Sequence, residues 1–307
     1  MSPTINSYED ILAGSIVSVI CTIGNVMMVL VIIGSTRIPS MKSSFGMLTI
    51  NQNFAEIVPC TTGFTVFFFG YALGLKTMIE YSYLVGGSAI TMLMIILVGF
   101  LLISLNRLCA IIFPIAYNTI FKGKFILTII VITWILPILV CTYIFAFRQC
   151  TYAIVHEGWY FNEYPNEKCG SVMAMYQAIQ TPLALFISFI DLTTLVLLII
   201  LRNRIFKTKS SEARRREMNF ARQVLVQGFV FTMHGFWYAS GRELMPPTLS
   251  ENWKIFWTTS FSSNLLHVFD PMIVFICNME FRTWIFGLNR NKKNKRIVSI
   301  VGSTSMN

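Results

Sequence analysis

Tyr83–Asn106 reads YLVGGSAITMLMIILVGFLLISLN, 24 residues without a charged side chain, and Arg107 closes it. An α-helix rises about 1.5 Å per residue, so it needs about 20 mostly apolar residues to cross the hydrocarbon core of a bilayer. A run this long and this apolar predicts a membrane-spanning helix.

Six more runs of the same kind lie to either side: Ile11–Ile33, Phe45–Tyr71, Phe125–Phe147, Met173–Leu201, Phe220–Gly241 and Trp253–Met279. The fifth and seventh read as the strongest spans. The sixth reads as the weakest, because it contains Gly228, His234 and Gly235. The expectation is an all-α integral membrane bundle of seven helices. Residues 1–10 form a short N-terminus, 11–282 the bundle and 283–307 a basic tail. Composition agrees: 55% of the 307 residues are hydrophobic and only 12% are charged, with a mean hydropathy of +0.64. Soluble domains carry roughly 25% charged residues, so a soluble two-domain protein is excluded.

The net charge of +10 matters mainly through its location. Binding nucleic acid needs a basic face on a soluble domain, whereas here the basic residues fill short gaps between apolar runs. Lysine and arginine concentrate in cytoplasmic loops. The loops after spans one, three and five and the tail hold 19 of them, and the other side holds 5 (Lys76, Arg148, Lys168, Arg242 and Lys254). That bias puts the N-terminus outside and the tail in the cytoplasm. No basic segment precedes span one, so a cleaved signal peptide is not expected and span one serves as its own signal. The short N-terminus leaves ligand capture to the bundle and its outer loops.

Cys21, Cys60, Cys109, Cys141 and Cys277 lie in or beside apolar runs, where cysteine behaves as a small hydrophobe. No CxxC pair or Cys/His cluster points to a metal, and no cofactor is expected. Only Cys150 and Cys169 fall in an outer loop, with 18 residues between them. A bridge there contributes about 3 kcal/mol in the loop-entropy model. The alternative is two thiols, and an oxidising exterior favours the bridge.

The residues after span three, Asn106-Arg107-Leu108-Cys109-Ala110-Ile111-Ile112-Phe113-Pro114-Ile115-Ala116-Tyr117, resemble the D-R-Y-x-A-I-x-x-P-x-x-Y stretch of rhodopsin-like receptors. Span seven ends in Asp270-Pro271-Met272-Ile273, with Phe281-Arg282 ten residues after the proline. This resembles (N/D)-P-x-x-Y followed by the F-R that opens a short amphipathic helix. Gly24-Asn25 in span one and Asn51-Gln52-Asn53-Phe54-Ala55-Glu56 in span two fit the same family, with Glu for the usual Asp. Ser44–Gly46, the Asn106-Arg107 pair, Arg148-Gln149-Cys150 and His234–Tyr238 narrow the resemblance to the nematode serpentine chemoreceptors, most of all the Srx type.

The resemblance implies a G-protein-coupled chemoreceptor in the plasma membrane of sensory cilia. Its partners would be a heterotrimeric G protein, a small odorant or pheromone and membrane lipid. Asn106, Arg107, Asp270 and Pro271 would form the coupling switch, with Arg107 turning toward the G protein as span six swings outward. Asn25, Glu56 and Asp270 would form a hydrated polar core, the place where a sodium ion binds in the family. The supporting polar position in span three is Ile96, which argues for a switching role more than for sodium. A charged carboxyl at that depth costs roughly 2.5–3.5 kcal/mol, so such a group faces the bundle interior.

The ligand pocket would be lined by Ala89, His234, Trp237, Tyr238, Ser260 and Asn264, for which helix packing is the competing explanation. Ala89 stands where amine receptors carry an aspartate, so a biogenic amine held by that salt bridge is disfavoured. Asp191, in span five, receives no role. The run Arg202–Arg216 serves topology, anionic lipid at about 1 kcal/mol per residue, or G-protein contact. The tail run Arg290–Arg296 is expected to be solvated and drawn to lipid.

Some positions depart from the family. Val274 and Leu108 replace tyrosines, span six lacks its proline, and Ser82 replaces the cysteine that ties span three to the second outer loop. Competing functions fit less well. Lys254 at the outer rim is the only lysine of span seven, too shallow for retinal. No repeated broken helices suggest a transporter, and no nucleophile–base or metal spacing suggests an enzyme. A seven-span ligand-gated channel subunit would reverse the topology. A non-signalling receptor partner is the remaining alternative.

Overall fold

The computed structural model describes residues 7–113, 117, 120–121, 123–163, 167–208 and 211–287; side chains are described within these except at 40, 58–60, 167–168, 170–177, 201–218 and 220–221. Among the described residues, five helices are long and apolar enough to cross a membrane: Tyr8–Arg37, Ser82–Ile112, Gly123–Phe147, Ala178–Ile200 and Glu251–Cys277. They are spans one, three, four, five and seven. Span seven is the least apolar of the five, not one of the strongest. Its inward face carries Ser260, Asn264, His267 and Asp270, all buried, and that polarity lowers its average. Span six lies in the continuous helix Ser211–Leu244.

Span two is split into Ser44–Ala55 and Thr62–Ala72 by one π turn, Glu56–Thr61. Pro59 lies in that turn and has no N–H to donate. The Thr61 and Thr62 hydroxyls donate to the carbonyl oxygens of Glu56 and Ile57 at 2.8 and 2.7 Å. Side-chain hydroxyls thus satisfy backbone groups that lipid cannot. Similar turns occur at Tyr143–Phe147 in span four and Trp257–Phe261 in span seven.

Span one packs on spans two and seven, span three on two, four and five, and span six on five and seven. The result is a seven-helix bundle with three layers. An aromatic layer at the N-terminal end holds Phe67, Phe68, Tyr71, Trp159 and Phe256. An apolar layer at the opposite end holds Phe45, Leu48, Ile103, Val274 and Phe281. Buried polar side chains lie between them, including Gln52, Glu56, His267 and Asp270. Phe281 lies in the short helix Met279–Ile285 that follows span seven.

The connection between spans four and five forms a two-stranded antiparallel hairpin, β1 (Tyr152–Val155) and β2 (Tyr160–Glu163), with Val155 opposite Tyr160. Cys150 and Cys169 are joined by a disulfide that brackets it, their Cα atoms 5.4 Å apart. The side chains of Arg202–Arg216, the positions 114–116 and the tail Arg290–Arg296 lie outside the described residues.

Candidate ligand pocket and polar core

Residues three or four apart share one face of a helix. Ser260, Ser263, Asn264, His267 and Asp270 therefore form a single polar stripe on span seven, and each meets a different neighbour. Ser260 donates to the carbonyl oxygen of Trp159 in the hairpin tip at 2.6 Å. Ser263 lies 3.4 Å from His234 Nε2 on span six. Asn264 Oδ1 accepts from the Cys21 thiol on span one at 3.0 Å. His267 Nδ1 is 3.7 Å from Glu56 Oε2 on span two. Asp270 Oδ1 accepts from Gln227 Nε2 on span six at 2.5 Å.

Glu56 and Asp270, expected to share a polar core, are both buried in this layer. Gln52, four residues earlier on span two, donates to Glu56 Oε1 at 3.1 Å. Asn25 takes a different position. It donates to Thr65 Oγ1 at 3.1 Å, accepts from Thr62 at 3.4 Å, and makes no hydrogen bond to either carboxyl. Gln52, Gln227 and His267 were not read from the sequence as site residues. Two of them had a local signal: Gln52 is one turn from Glu56, and His267 one turn from Asp270. Gln227 had none, since it comes from another span.

Asp191 is buried between spans three, five and six, beside Ser104 and Gln227 in a small cleft. Gly228 faces it, and a Cβ there would come within 2.6 Å of Asp191 Oδ2. Nearer the C-terminal end of the bundle, Asn106 is fully buried, with Tyr117 donating to its Oδ1 at 3.4 Å. Arg107 is half-buried and places its guanidinium carbon 3.4 Å from the centre of the Phe45 ring, a cation–π contact with span two. Pro271 is buried inside the span-seven helix.

The expected pocket residues meet different neighbours. Ala89 is buried beside Ala55, Ile95 and Ile96, so it packs spans two and three together. The Trp237 indole donates to the Trp257 carbonyl at 3.2 Å, and Tyr238 is 54% exposed. Ser260 meets the hairpin, Asn264 donates to the Ser260 carbonyl, and His234 meets Ser263. The hairpin itself fills the mouth at the N-terminal end. Phe161 packs its ring on Phe64, Phe67 and Phe68, and Trp159 packs on Trp253 and Phe256.

Comparison with known proteins agrees with this fold. The family model described as "Serpentine type 7TM GPCR chemoreceptor Srx" matches residues 18–278. Serpentine receptor class X-43 of Caenorhabditis elegans is 42% identical over 299 residues, 97% of this chain and 93% of that relative. The crystal structure of squid rhodopsin aligns with a TM-score of 0.69 over 94% of this chain and 91% of that one, at 16% identity, a likeness of fold alone. This chain therefore belongs to the Srx family of serpentine seven-transmembrane G-protein-coupled chemoreceptors.

Proposed function

We propose that this receptor binds a small environmental chemical in the outer half of the bundle and activates a heterotrimeric G protein through the inner ends of spans three, five and six. The supporting observation is the polar stripe of span seven. It runs from Ser260, beneath the hairpin, to Asp270, where Gln227 ties it to span six. A ligand touching the outer end of this stripe acts on the helix pair whose separation opens a cleft beside Arg107. Activation is then a population shift, set by how much better the ligand binds the open bundle than the closed one. The N-terminus faces outward, the tail is cytoplasmic, and the cellular site is the plasma membrane of sensory cilia. The ligand is a small odorant or pheromone, held in a mostly apolar pocket with a few polar anchors such as Ser260 and Asn264.

The test is a panel of volatile and water-borne chemicals applied to cells expressing the chain, with G-protein activation as readout. Arg107→Ala is expected to abolish the response while surface staining persists. A normal response from that variant overturns the coupling role of Arg107. Current that follows ligand without any G protein would favour the channel alternative.

A further inference from the structure

We propose that Asp10 latches the hairpin to the outer end of span one and so controls access to the ligand site; the proposal rests on the receptor reading above. The hairpin tip contains two residues in the left-handed backbone region, Gly158 at φ 95° and Trp159 at φ 49°. Glycine adopts such a φ at little cost, whereas a bulky aromatic residue does not. A strained residue persists only where its surroundings over-determine it, and Trp159 is held from three sides. Its indole donates to Asp10 Oδ1 at 2.7 Å. Its carbonyl accepts from Ser260 at 2.6 Å. Its ring packs on Trp253 and Phe256, leaving it only 2% exposed.

Asp10 is the shared anchor. It is 1% exposed, although it lies in the first turn of span one. Oδ1 also accepts from the Tyr71 phenol at 3.2 Å, and the same phenol lies 2.7 Å from His156 Nδ1 in the hairpin turn. Oδ2 accepts from the Ser7 backbone N–H at 3.2 Å, and Ser7 Oγ accepts in return from the Asp10 N–H. One carboxylate thus ties together spans one and two and both sides of the hairpin turn. A helix cap alone needs none of the partners beyond Ser7. With the latch made, Cys21, Ser260 and Asn264 are sealed beneath Trp159; with it broken, the hairpin keeps the Ser260 and Ser82 hydrogen bonds, its apolar packing and the disulfide, but loses its tie to span one.

Cys21 is a native reporter, since it is fully buried beneath this layer. Intact cells expressing the full chain are treated with a membrane-impermeant, sulfonate-bearing thiosulfonate, and Cys21 modification is followed by peptide mass. In the native protein Cys21 is expected to react slowly. Asp10→Asn removes the charge that strengthens these hydrogen bonds and sets an NH2 against the Ser7 N–H, and Trp159→Phe removes the indole donor; in each, Cys21 should react roughly tenfold faster or more. Cys141 and Cys277, buried elsewhere, should stay protected. Unchanged Cys21 reactivity in both variants overturns the latch. Acceleration of Cys21 and Cys141 together also overturns it, because that pattern reports general loosening of the outer half of the bundle. Staining of an N-terminal tag on the same cells reports orientation separately, so a reversed topology is not mistaken for a closed latch.

Discussion

The cost of losing one side chain in the polar layer follows from what it leaves behind. Gln227 supplies the amide hydrogen that Asp270 Oδ1 receives, and both groups are buried. Truncating a partner strands the survivor's desolvation cost, about 1–3 kcal/mol for a neutral group and more for a charged one. Gln227→Ala is therefore expected to lower the midpoint of thermal unfolding in detergent. The double variant Gln227→Leu with Asp270→Leu, which removes both polar ends, should recover much of that loss. If the double variant is no better than the single one, the pair is not a unit. A second residue-scale prediction concerns Gly86 in span three. A Cβ there would run into the carbonyl oxygen of Tyr152 and the ring of Phe161, backbone and core of the hairpin. Gly86→Ala should therefore displace the hairpin and accelerate Cys21 modification, as breaking the Asp10 latch does. Gly123→Ala meets nothing within 4 Å and serves as the comparison.

Elements fail in ways that single side chains do not, and the hairpin illustrates this. Four-residue strands packed against a bundle have little stability of their own. The bridge between Cys150 and Cys169 shortens the loop that must be ordered, and cross-links of this span contribute about 3 kcal/mol. Cys150→Ser should lower thermal stability by that order. Reductant should lower it in the native protein and leave the variant unchanged, and equal sensitivity of both to reductant would disprove the bridge as its source. Element-level features also mark how much was legible in the sequence. Runs such as Tyr83–Asn106 announce their spans because length and apolarity are local properties. The depth of Glu56 and Asp270 followed for the same reason. Azimuth was less accessible. Span two passes through a π turn at Glu56–Thr61, and a residue beyond an inserted position is turned by about 100°. Asn25 meets Thr62 and Thr65, on the far side of that turn. The Asp10–Trp159 latch was illegible for a related reason: its members are 149 residues apart, and nothing in either neighbourhood names the other.

At the scale of the whole molecule, orientation is decided by many weak biases acting together. Of the 24 lysines and arginines, 19 fall on the side of the C-terminal tail. The positive-inside tendency counts such residues in short loops and near span ends. The densest group, Arg202–Arg216, follows span five, and the first ten residues hold Glu9 and Asp10 but no basic residue. The two structural features with assigned roles agree with that polarity. On the proposed reading, the disulfide and latched hairpin face the oxidising exterior, and the Arg107 end faces the G protein. A tag before Met1 and another after Asn307 test the arrangement directly. In intact cells the first should stain and the second should appear only after permeabilisation. The reverse pattern would put the hairpin in the reducing cytosol, separate Arg107 from any G protein, and bring the channel reading forward. Adding lysines to the first ten residues then probes the cause. If charge bias sets the topology, four added lysines should move a measurable fraction of chains into the inverted orientation. If the fraction stays at zero, the later spans fix the orientation by themselves.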